Sequence, residues 1–544
     1  MNAKPLLLSV VLTIFDDKES LMAKDNGMLP VYGRKEFKQS VPKLRIPEEP
    51  MAPESAYRMI QDSLNLDGSP ALNLATYVNT WMDDYAERLI NENLDKNFID
   101  HEEYPQSSLI EKRLIRMMGD MLGTEFDPAD TDPDTSEGFY GSVTVGSSEA
   151  IMLALIAHRK HWQNCSRKNP NRNPLDRPFL LMSTHVHGCW DKYCRYYDVG
   201  ALYVSMSDDK YTLTGGDVTE VLHCKIKDSP YRNEIINLCE YPADYLPTLD
   251  ERTVGELVMT VGSIAGTTFT GNGDDTEGID NAVEAYCKAV PYTDIPIHVD
   301  GASGGFMLPF TNLRAENMGH KAAKFDFKQT KRVRSINVSN HKFGMVYPGM
   351  GTVVFRDKNV VDPDLIYNIT YLGGSFVDYT VNFSRGSGVI ISQYYNFLSW
   401  GRQGYQAVLD NCMDNTDHLI NCITDNPTLN QIFSPISDNI HYPIVVFKRV
   451  EREGGYAWNM PDFADEMREY GWIIASYKLP TTDPEKADGP YVFRIVVRQV
   501  ITSEQIESMA NHMITVVEEL EKRDETTAQP LRIQKRKPYR ASRM

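Results

Sequence analysis

Apolar and polar positions alternate along the chain in blocks that predict an α/β protein. Between about residues 140 and 400, short apolar runs typical of strands are separated by segments with helical periodicity. The predicted strands are 179–184, 257–264, 295–300, 334–339 and 351–356. This alternation indicates a mainly parallel sheet covered on both faces, where ligands bind at the carboxyl ends of the strands. Polar residues that follow these strands are therefore candidates for chemistry.

The same patterns divide the chain into five predicted segments. An extended N-terminal arm and a helical segment precede the large α/β domain. A small α+β domain and a short basic tail follow it, and the last helix of the small domain has an apolar face. The predicted segments are 1–54, 55–122, 123–429, 430–523 and 524–544. The apolar face consists of Ile506, Met509, Met513, Val517 and Leu520.

Charge excludes some classes of function. The 544 residues include 56 Lys and Arg against 75 Asp and Glu, which gives a net charge of −19. An acidic chain does not offer the broad basic surface that nucleic acids or anionic membranes require, and after the N-terminal region no apolar run approaches the roughly 20 residues of a membrane span. The basic tail is read as a solvated, disordered segment, with binding of a partner such as a calmodulin-like protein as the alternative.

The cysteines favour a reducing compartment. Eight cysteines are scattered along the chain and no CxxC pair occurs, which weighs against a disulfide scaffold and against a structural zinc site. The first residues, MNAKPLLLSVVLTIFDD, weakly resemble a secretory signal but lack a clear cleavage site. We therefore expect a cytoplasmic protein without a metal in its active site.

Two strand ends and one helix start suggest a cofactor. Asp300 ends the strand in IPIHVDGASGGF, and Lys342 follows the strand in SINVSNHKFG. A carboxylate and a lysine at neighbouring strand ends suit pyridoxal phosphate, because the acid can pair with the ring nitrogen and the amine can form a Schiff base. Gly146, Ser147 and Ser148 precede a predicted helix whose amino end can hold a phosphate.

Each feature taken alone also has a simpler explanation. The GSSEA segment is commonly a helix cap, Asp300 could be a loop carboxylate, and an isolated Lys342 would usually lie on the surface. Together, however, the three features provide partners for three different groups of one cofactor within one α/β block. The combination therefore favours the cofactor site.

From about residue 60 to about residue 520, the sequence resembles the pyridoxal-phosphate-dependent glutamate decarboxylases, a branch of the group II amino-acid decarboxylases. The motifs that carry the resemblance include LNLATY, DHEEYPQS, VGSSEAIML, TTFTGN, HVDGASGGF, SNHKFG, YLGG and NFSR. SNHKFG beside HVDGASGGF is specific for the cofactor fold, and LNLATY, EEYPQS and NFSR narrow the likeness to the glutamate branch. The resemblance implies an aspartate aminotransferase-like transferase fold with a mainly parallel seven-stranded sheet and a small α+β C-terminal domain.

The resemblance also implies roles around the cofactor. Lys342 would form the Schiff base, Asp300 would face the ring nitrogen, Ala302 would touch the ring and Thr268 would lie beside the polar edge of the cofactor. His187 would stack over the ring. The residues implied to bind the phosphate are Ser147, Ser148, Ser339, His341 and, from the partner subunit of a homodimer, Ser384.

Five further positions match the family's substrate pocket. Thr76, Tyr77, Asn97 and Asp100 correspond to residues around the distal carboxylate, and Arg494 corresponds to the arginine that receives the α-carboxylate. Arg494 suits this task because its planar guanidinium can donate two parallel hydrogen bonds to the two oxygens of a carboxylate. The alternatives are an exposed strand residue for Arg494 and cap or turn roles for Thr76 and Asn97. Because a carboxylate repels a carboxylate, we expect any role of Asp100 to be indirect.

Three positions depart from the glutamate branch. His187 stands where that branch usually has Gln, Tyr77 stands where it usually has Phe, and Gly301 replaces a common Ala. A histidine keeps the stacking surface but can titrate in the physiological range. A structural histidine is the simpler alternative for His187. These departures affect the expected choice of amino acid more than the expected reaction.

The predicted function is decarboxylation of an L-amino acid at its α-carbon, with L-glutamate and 4-aminobutyrate as the expected substrate and product. Lys342, His187 and Tyr371 are the candidate proton donors to that carbon. The alternatives are a decarboxylase of the same fold that acts on aspartate or an aromatic amino acid, a transaminase, and an inactive cofactor-binding regulator.

Overall fold

The computed structural model describes residues 44–133, 138–170, 172–369, 376–438, 440–485 and 488–523. Tyr371, the basic tail and most of the predicted N-terminal arm lie outside these residues. The chain divides into two compact units, Met1–Ser69 and Pro70–Met544. The first unit contains helix α1 (Pro53–Leu64), which begins with a proline, a residue favoured in the first turn because its missing N–H is not needed there.

A seven-stranded sheet forms the centre of the second unit. Its strands are β1 (Gly141–Thr144), β2 (Phe179–Ser183), β3 (Gly200–Val204), β4 (Val258–Ile264), β5 (Ile297–Asp300), β6 (Val333–Val338) and β7 (Gly351–Phe355). The spatial order is β1-β7-β6-β5-β4-β2-β3, and β7 runs opposite to the other six. The predicted mainly parallel sheet is therefore confirmed.

Helices surround this sheet and extend into the C-terminal part of the unit. They are α2 (Asp84–Asn91), α3 (Pro105–Leu122), α4 (Ser147–Lys168), α5 (Gly188–Tyr197), α6 (Gly215–His223), α7 (Arg232–Cys239), α8 (Leu246–Asp250), α9 (Thr276–Ala289), α10 (Gly304–Asn317), α11 (Gly388–Thr424), α12 (Met460–Glu469) and α13 (Ser503–Glu521). Within the described parts of the chain, no helix is long and apolar enough to cross a membrane.

The sheet is buried on both faces because successive side chains of a strand point in opposite directions. In β2, Leu180 and Met182 pack in one cluster with Ile151 of α4 and Trp190 of α5. Leu181, between them, belongs to the other large core cluster. This double burial explains why the strands appear in the sequence as continuous apolar runs.

The C-terminal part contains a second, antiparallel sheet. It consists of β10 (Phe433–Pro435), β11 (Ile444–Arg449), β13 (Tyr491–Val496) and β12 (Ala475–Lys478) in that spatial order, and a separate two-stranded sheet consists of β8 (Tyr367–Ile369) and β9 (Phe376–Asp378). The apolar face predicted for the last helix is confirmed, since Ile506, Met509, Met513, Val517 and Leu520 of α13 are all buried.

The parallel register brings the predicted chemistry to one edge of the large sheet. Ile264, the last residue of β4, pairs with Asp300, the last residue of β5, and Asp300 also pairs with Asn337 near the end of β6. Lys342 lies in the turn that follows β6. The carboxylate and the lysine are thus at the carboxyl edge of neighbouring strands, as the sequence predicts.

Candidate active site

Lys342 and Asp300 form the centre of the site. Lys342 Nζ donates a hydrogen bond to Ser303 Oγ at 3.2 Å and lies 4.9 Å from the ring centroid of Tyr77. Loss of solvent around the amine lowers the pKa of Lys342 to about 8, although the charge of Asp300 acts in the opposite direction and that of Arg494 acts in the same direction. A substantial fraction of this lysine is therefore uncharged and nucleophilic near neutral pH.

Asp300 is buried and held by three donors. Trp190 Nε1 donates to its Oδ2 at 3.0 Å, while Asn337 Nδ2 and the backbone N–H of Ala302 each donate to Oδ1 at 3.1 Å. Burial alone would raise the pKa of Asp300, but these hydrogen bonds and the charge of Lys342 hold that pKa below its usual range. Asp300 is therefore a fixed negative charge, suited to pair with a protonated ring nitrogen.

A chain of buried polar side chains supports this carboxylate from behind. His298 Nε2 donates to Asn337 Oδ1 at 2.9 Å, and His298 Nδ1 lies 2.8 Å from Ser335 Oγ. Ser335 Oγ lies 3.0 Å from His158 Nε2, whose Nδ1 is 2.9 Å from Thr260 Oγ1. Burial lowers the pKa of His298 to about 4, so its ring is neutral at physiological pH. Sequence reasoning missed this chain, although Ser335 and Asn337 are two residues apart and therefore lie on the same face of β6.

The predicted phosphate cradle lies at the amino end of α4. Gly146 is the N-cap residue, and within the described residues no side chain caps this end, so the first backbone amides around Ser147 and Ser148 are available to an anion. Ser339 Oγ is buried and has no hydrogen-bond partner among the described residues. The His341 ring approaches the same turn, because a Cβ placed on Gly146 would be 3.7 Å from its Cε1.

Two neighbours fix the shape of this turn. A Cβ placed on Gly351, the first residue of β7, would be 2.5 Å from the carbonyl carbon of Gly146, so only glycine permits the close approach. Glu149 is buried and accepts hydrogen bonds from the backbone N–H groups of Val145 at 2.9 Å and Val381 at 2.9 Å. Glu149 therefore ties the turn to a distant loop as well as occupying the first turn of α4.

Arg494 lies on β13 and reaches the same centre. Its guanidinium donates to the backbone carbonyl and, at 3.1 Å, to the hydroxyl oxygen of Thr268, and it also donates to the carbonyl of Ala75 at 2.6 Å. The guanidinium carbon lies 4.6 Å from the ring centroid of Tyr77 and 5.6 Å from that of Tyr477. Arg494 is 8% exposed, which does not fit an exposed strand residue.

Three of the predicted substrate-pocket and phosphate residues form a separate group. Asn97 Nδ2 donates to Asp100 Oδ1 at 3.2 Å and to Ser384 Oγ at 3.4 Å, and the backbone N–H of Arg385 donates to Asn97 Oδ1 at 3.2 Å. Thr76 Oγ1 accepts a hydrogen bond at 3.0 Å from the backbone N–H two residues later, which stabilises a turn.

The comparison with protein families decides the class of this site. A family model described as the pyridoxal-dependent decarboxylase conserved domain matches residues 47–450. The chain belongs to the pyridoxal-dependent decarboxylases. It is therefore a pyridoxal-phosphate-dependent carboxy-lyase of the predicted fold.

Several relatives of this decarboxylase have names that specify a substrate. The chain is 32% identical to glutamate decarboxylase 5 of Arabidopsis thaliana, with 91% of this chain and 88% of the relative covered. It is 34% identical to the probable glutamate decarboxylase gamma of Listeria monocytogenes, with 86% and 87% covered. Among solved structures, the glutamate decarboxylase of Lactobacillus brevis matches with a TM-score of 0.75 at 28% identity, over 91% of this chain and 99% of that one.

The side chains of this decarboxylase fit pyridoxal phosphate. The unpartnered hydroxyl of Ser339 and the uncapped amino end of α4 suit a phosphate group among the described residues. The ionised Asp300 suits a protonated pyridine nitrogen, and the amine of Lys342, with its lowered pKa, suits an aldehyde. The requirements of the cofactor and the donors present therefore agree.

The three candidate proton donors differ in their location in the decarboxylase. His187 is the N-cap of α5, where its Nδ1 accepts a hydrogen bond from the backbone N–H of Cys189 at 3.3 Å, and its side chain is exposed. Lys342 lies at the centre described above. Tyr371 lies outside the described residues, so its role stays a prediction.

Proposed function

We propose that this enzyme decarboxylates L-glutamate to 4-aminobutyrate and carbon dioxide. The observation that carries the proposal is the pair of basic side chains, Lys342 and Arg494, that approach the ring of Tyr77. Lys342 Nζ lies 4.9 Å from the ring centroid, and the guanidinium carbon of Arg494 lies 4.6 Å from it. An α-amino acid can place its amino end toward the lysine and its α-carboxylate toward the arginine. The names of the relatives support glutamate as the amino acid.

Each residue at this centre has a distinct task. When bound, pyridoxal phosphate supplies a conjugated ring that accepts the electron pair left by the departing carboxyl group. Asp300, kept ionised by its three donors, holds a proton on the ring nitrogen and so stabilises that charge. Arg494 orients the α-carboxylate, Thr268 supports Arg494 and the polar edge of the cofactor, and Lys342 is a candidate to return a proton to the α-carbon.

The remaining site residues position the cofactor. Ala302 lies in the turn that follows Asp300, where it can contact the ring, and the exposed ring of His187 supplies a stacking surface. The groups proposed to bind the phosphate within one subunit are Ser147, Ser148, Ser339 and His341, supported by the amino end of α4.

We further propose a homodimer in which each subunit completes the site of the other. Asn97 donates hydrogen bonds to both Asp100 and Ser384, and a group linked in this way can serve a neighbouring subunit. In that arrangement Ser384 would contact the phosphate, while Asn97 and Asp100 would meet Thr76 and Tyr77 around the distal carboxylate.

We also place the enzyme in the cytoplasm. All eight cysteines of the chain are free thiols in the structure. Unpaired cysteines are typical of a reducing compartment.

Product analysis tests the proposed substrate. The purified enzyme would be incubated separately with L-glutamate, L-aspartate and aromatic L-amino acids, and amines and carbon dioxide would be measured. We expect 4-aminobutyrate from glutamate and at least tenfold lower rates with the others. Lys342→Ala is the control that abolishes the reaction. A faster reaction with another amino acid would make that amino acid the substrate in place of glutamate. A keto acid product would indicate a transaminase, and cofactor binding without any turnover would indicate a regulator.

A further inference from the structure

Three side chains with metal-binding groups meet away from the active site. His161 and Cys165 lie four residues apart on α4 and therefore share one face of the helix. His161 Nε2 donates a hydrogen bond to Asp294 Oδ2 at 2.9 Å and lies 3.5 Å from Cys165 Sγ. The three donor atoms all lie within 4.8 Å of one another. Asp294 precedes β5, so the group connects a helix to a strand of the central sheet.

We propose that His161, Cys165 and Asp294 bind a zinc ion. Imidazole, thiolate and carboxylate are the ligands that zinc takes in proteins, whereas calcium and magnesium prefer oxygen donors alone. In a tetrahedral zinc site, neighbouring donor atoms are about 3.3–3.8 Å apart, given metal–ligand distances of about 2.0–2.3 Å. The separation between His161 and Cys165 already has this value, and Asp294 needs to withdraw by about half an ångström.

The surroundings of Asp294 resemble the outer shell of a metal site. Arg332 Nη2 donates to Asp294 Oδ1, to the carbonyl of Ile295 at 2.9 Å and to Cys287 Sγ at 3.4 Å. Arg332 therefore fixes one carboxylate oxygen and leaves Oδ2 directed at His161. Hydrogen bonds of this kind orient metal-binding carboxylates in known sites.

The cluster also favours a positive charge between its side chains. The hydrogen bond that His161 donates to Asp294, with a further contribution from Cys165, raises the pKa of His161 to about 9. The nearby Arg332 and Glu284 lie 3.7 Å apart and keep their own pairing.

Space for a fourth ligand lies next to the cluster. A surface pocket of about 250 Å³ is lined by His161 and Asp294 together with Asp357 and Asn359. A water molecule in this pocket, oriented by those oxygen atoms, can complete four-coordinate zinc.

The location indicates a structural ion rather than a catalytic one. Asp294 lies before the amino end of β5, whereas Asp300 lies at its carboxyl end. Along α4, His161 is 14 residues beyond Ser147, which is about 21 Å at 1.5 Å per residue. An ion here would hold α4 to β5 and stabilise the part of the fold that carries the cofactor.

Zinc titration of the full-length holoenzyme tests the proposal. ZnCl₂ would be titrated in competition with a zinc-binding dye, and thermal unfolding would be followed with and without zinc. We expect one zinc ion with micromolar or tighter affinity and a rise in Tm. His161→Ala and Cys165→Ser are each expected to weaken binding at least about tenfold and to remove the rise in Tm. Cofactor absorbance and Tm without zinc report whether each variant folds. One correctly folded variant is enough to test whether the cluster binds zinc.

The chain supplies a matched control. His418 and Cys422 have the same spacing on α11, with His418 Nε2 3.8 Å from Cys422 Sγ and 3.5 Å from Glu507 Oε1. The double variant H418A/C422S is expected to bind zinc as the parent does. A parent affinity weaker than about 100 µM, a less than threefold loss in the His161 and Cys165 variants, or an equal loss in the control would overturn the proposal. None of these readouts depends on decarboxylation.

Discussion

The lowered pKa of Lys342 predicts how fast the enzyme without cofactor captures pyridoxal phosphate at each pH. Only an uncharged amine attacks an aldehyde. Desolvation lowers the pKa of Lys342 from 10.5 to about 8. At pH 7 about one molecule in ten then has an uncharged amine, against about one in 3,000 for an exposed lysine. The structure therefore predicts a roughly 300-fold larger reactive fraction than for an exposed lysine at this pH.

The assay follows the absorbance of the cofactor after it is mixed with the stripped enzyme between pH 6 and pH 10. We expect the rate to rise about tenfold from pH 6 to pH 7, and to level off above about pH 8. A blocked lysine in solution serves as the reference, because its rate shares the ionisation of the cofactor and continues to rise toward pH 10.5. The ratio of the two rates isolates the contribution of the site around Lys342.

Substitutions at the two charged neighbours of Lys342 are expected to shift this pH profile in opposite directions. Asp300 raises the pKa of Lys342 and Arg494 lowers it. Asp300→Asn is therefore expected to move the plateau to lower pH, and Arg494→Gln to move it to higher pH. A parent rate that still rises above pH 9, or shifts in the reverse directions, would refute the assignment of a desolvated lysine between opposing charges.

Three further substitutions test the supports of the site. Asn337→Ala removes a donor to the ionised Asp300, and we expect about tenfold weaker cofactor binding by equilibrium dialysis, whereas unchanged binding would contradict the support. Arg494→Lys loses the planar fork, so steady-state kinetics are expected to show KM for glutamate at least about tenfold higher while cofactor affinity holds. Gly351→Ala forces a Cβ to within 2.5 Å of Gly146, and denaturant unfolding is expected to show about 1–3 kcal/mol lower stability.

The central sheet and its two main chemical groups could be predicted from the sequence for a physical reason. Strands buried on both faces appear as unbroken apolar runs, so the polar residues that follow them, Asp300 and Lys342, stand out. The strand predicted at 295–300 is observed as Ile297–Asp300, and the strand predicted at 334–339 as Val333–Val338. In a parallel sheet, such strand ends share one edge, which places both groups together.

Contacts between strands could not be predicted in the same way. The link from His298 through Asn337 to Asp300 depends on the register between β5 and β6, and a register is not visible in the apolar pattern of either strand. Likewise, Glu149 appears in the sequence as an ordinary first-turn acid, and only the folded chain brings the backbone of Val381 to it.

The structure also changes how the presence of Tyr77, in place of the phenylalanine usual in the glutamate branch, is interpreted. In the sequence, this residue adds a hydroxyl to the substrate pocket and so casts doubt on the amino acid used. In the structure, Tyr77 OH donates to the carbonyl of Thr268 at 3.3 Å, and burial raises the pKa of Tyr77, so the phenol stays neutral. Its ring is meanwhile approached by the cationic groups of Lys342 and Arg494, at 4.9 Å and 4.6 Å from the ring centroid. Because the hydroxyl is occupied by Thr268, the surface that Tyr77 offers to a substrate is its aromatic ring, which a phenylalanine would also provide. The exchange is therefore compatible with the same amino acid, and His187 is the departure that bears more directly on specificity.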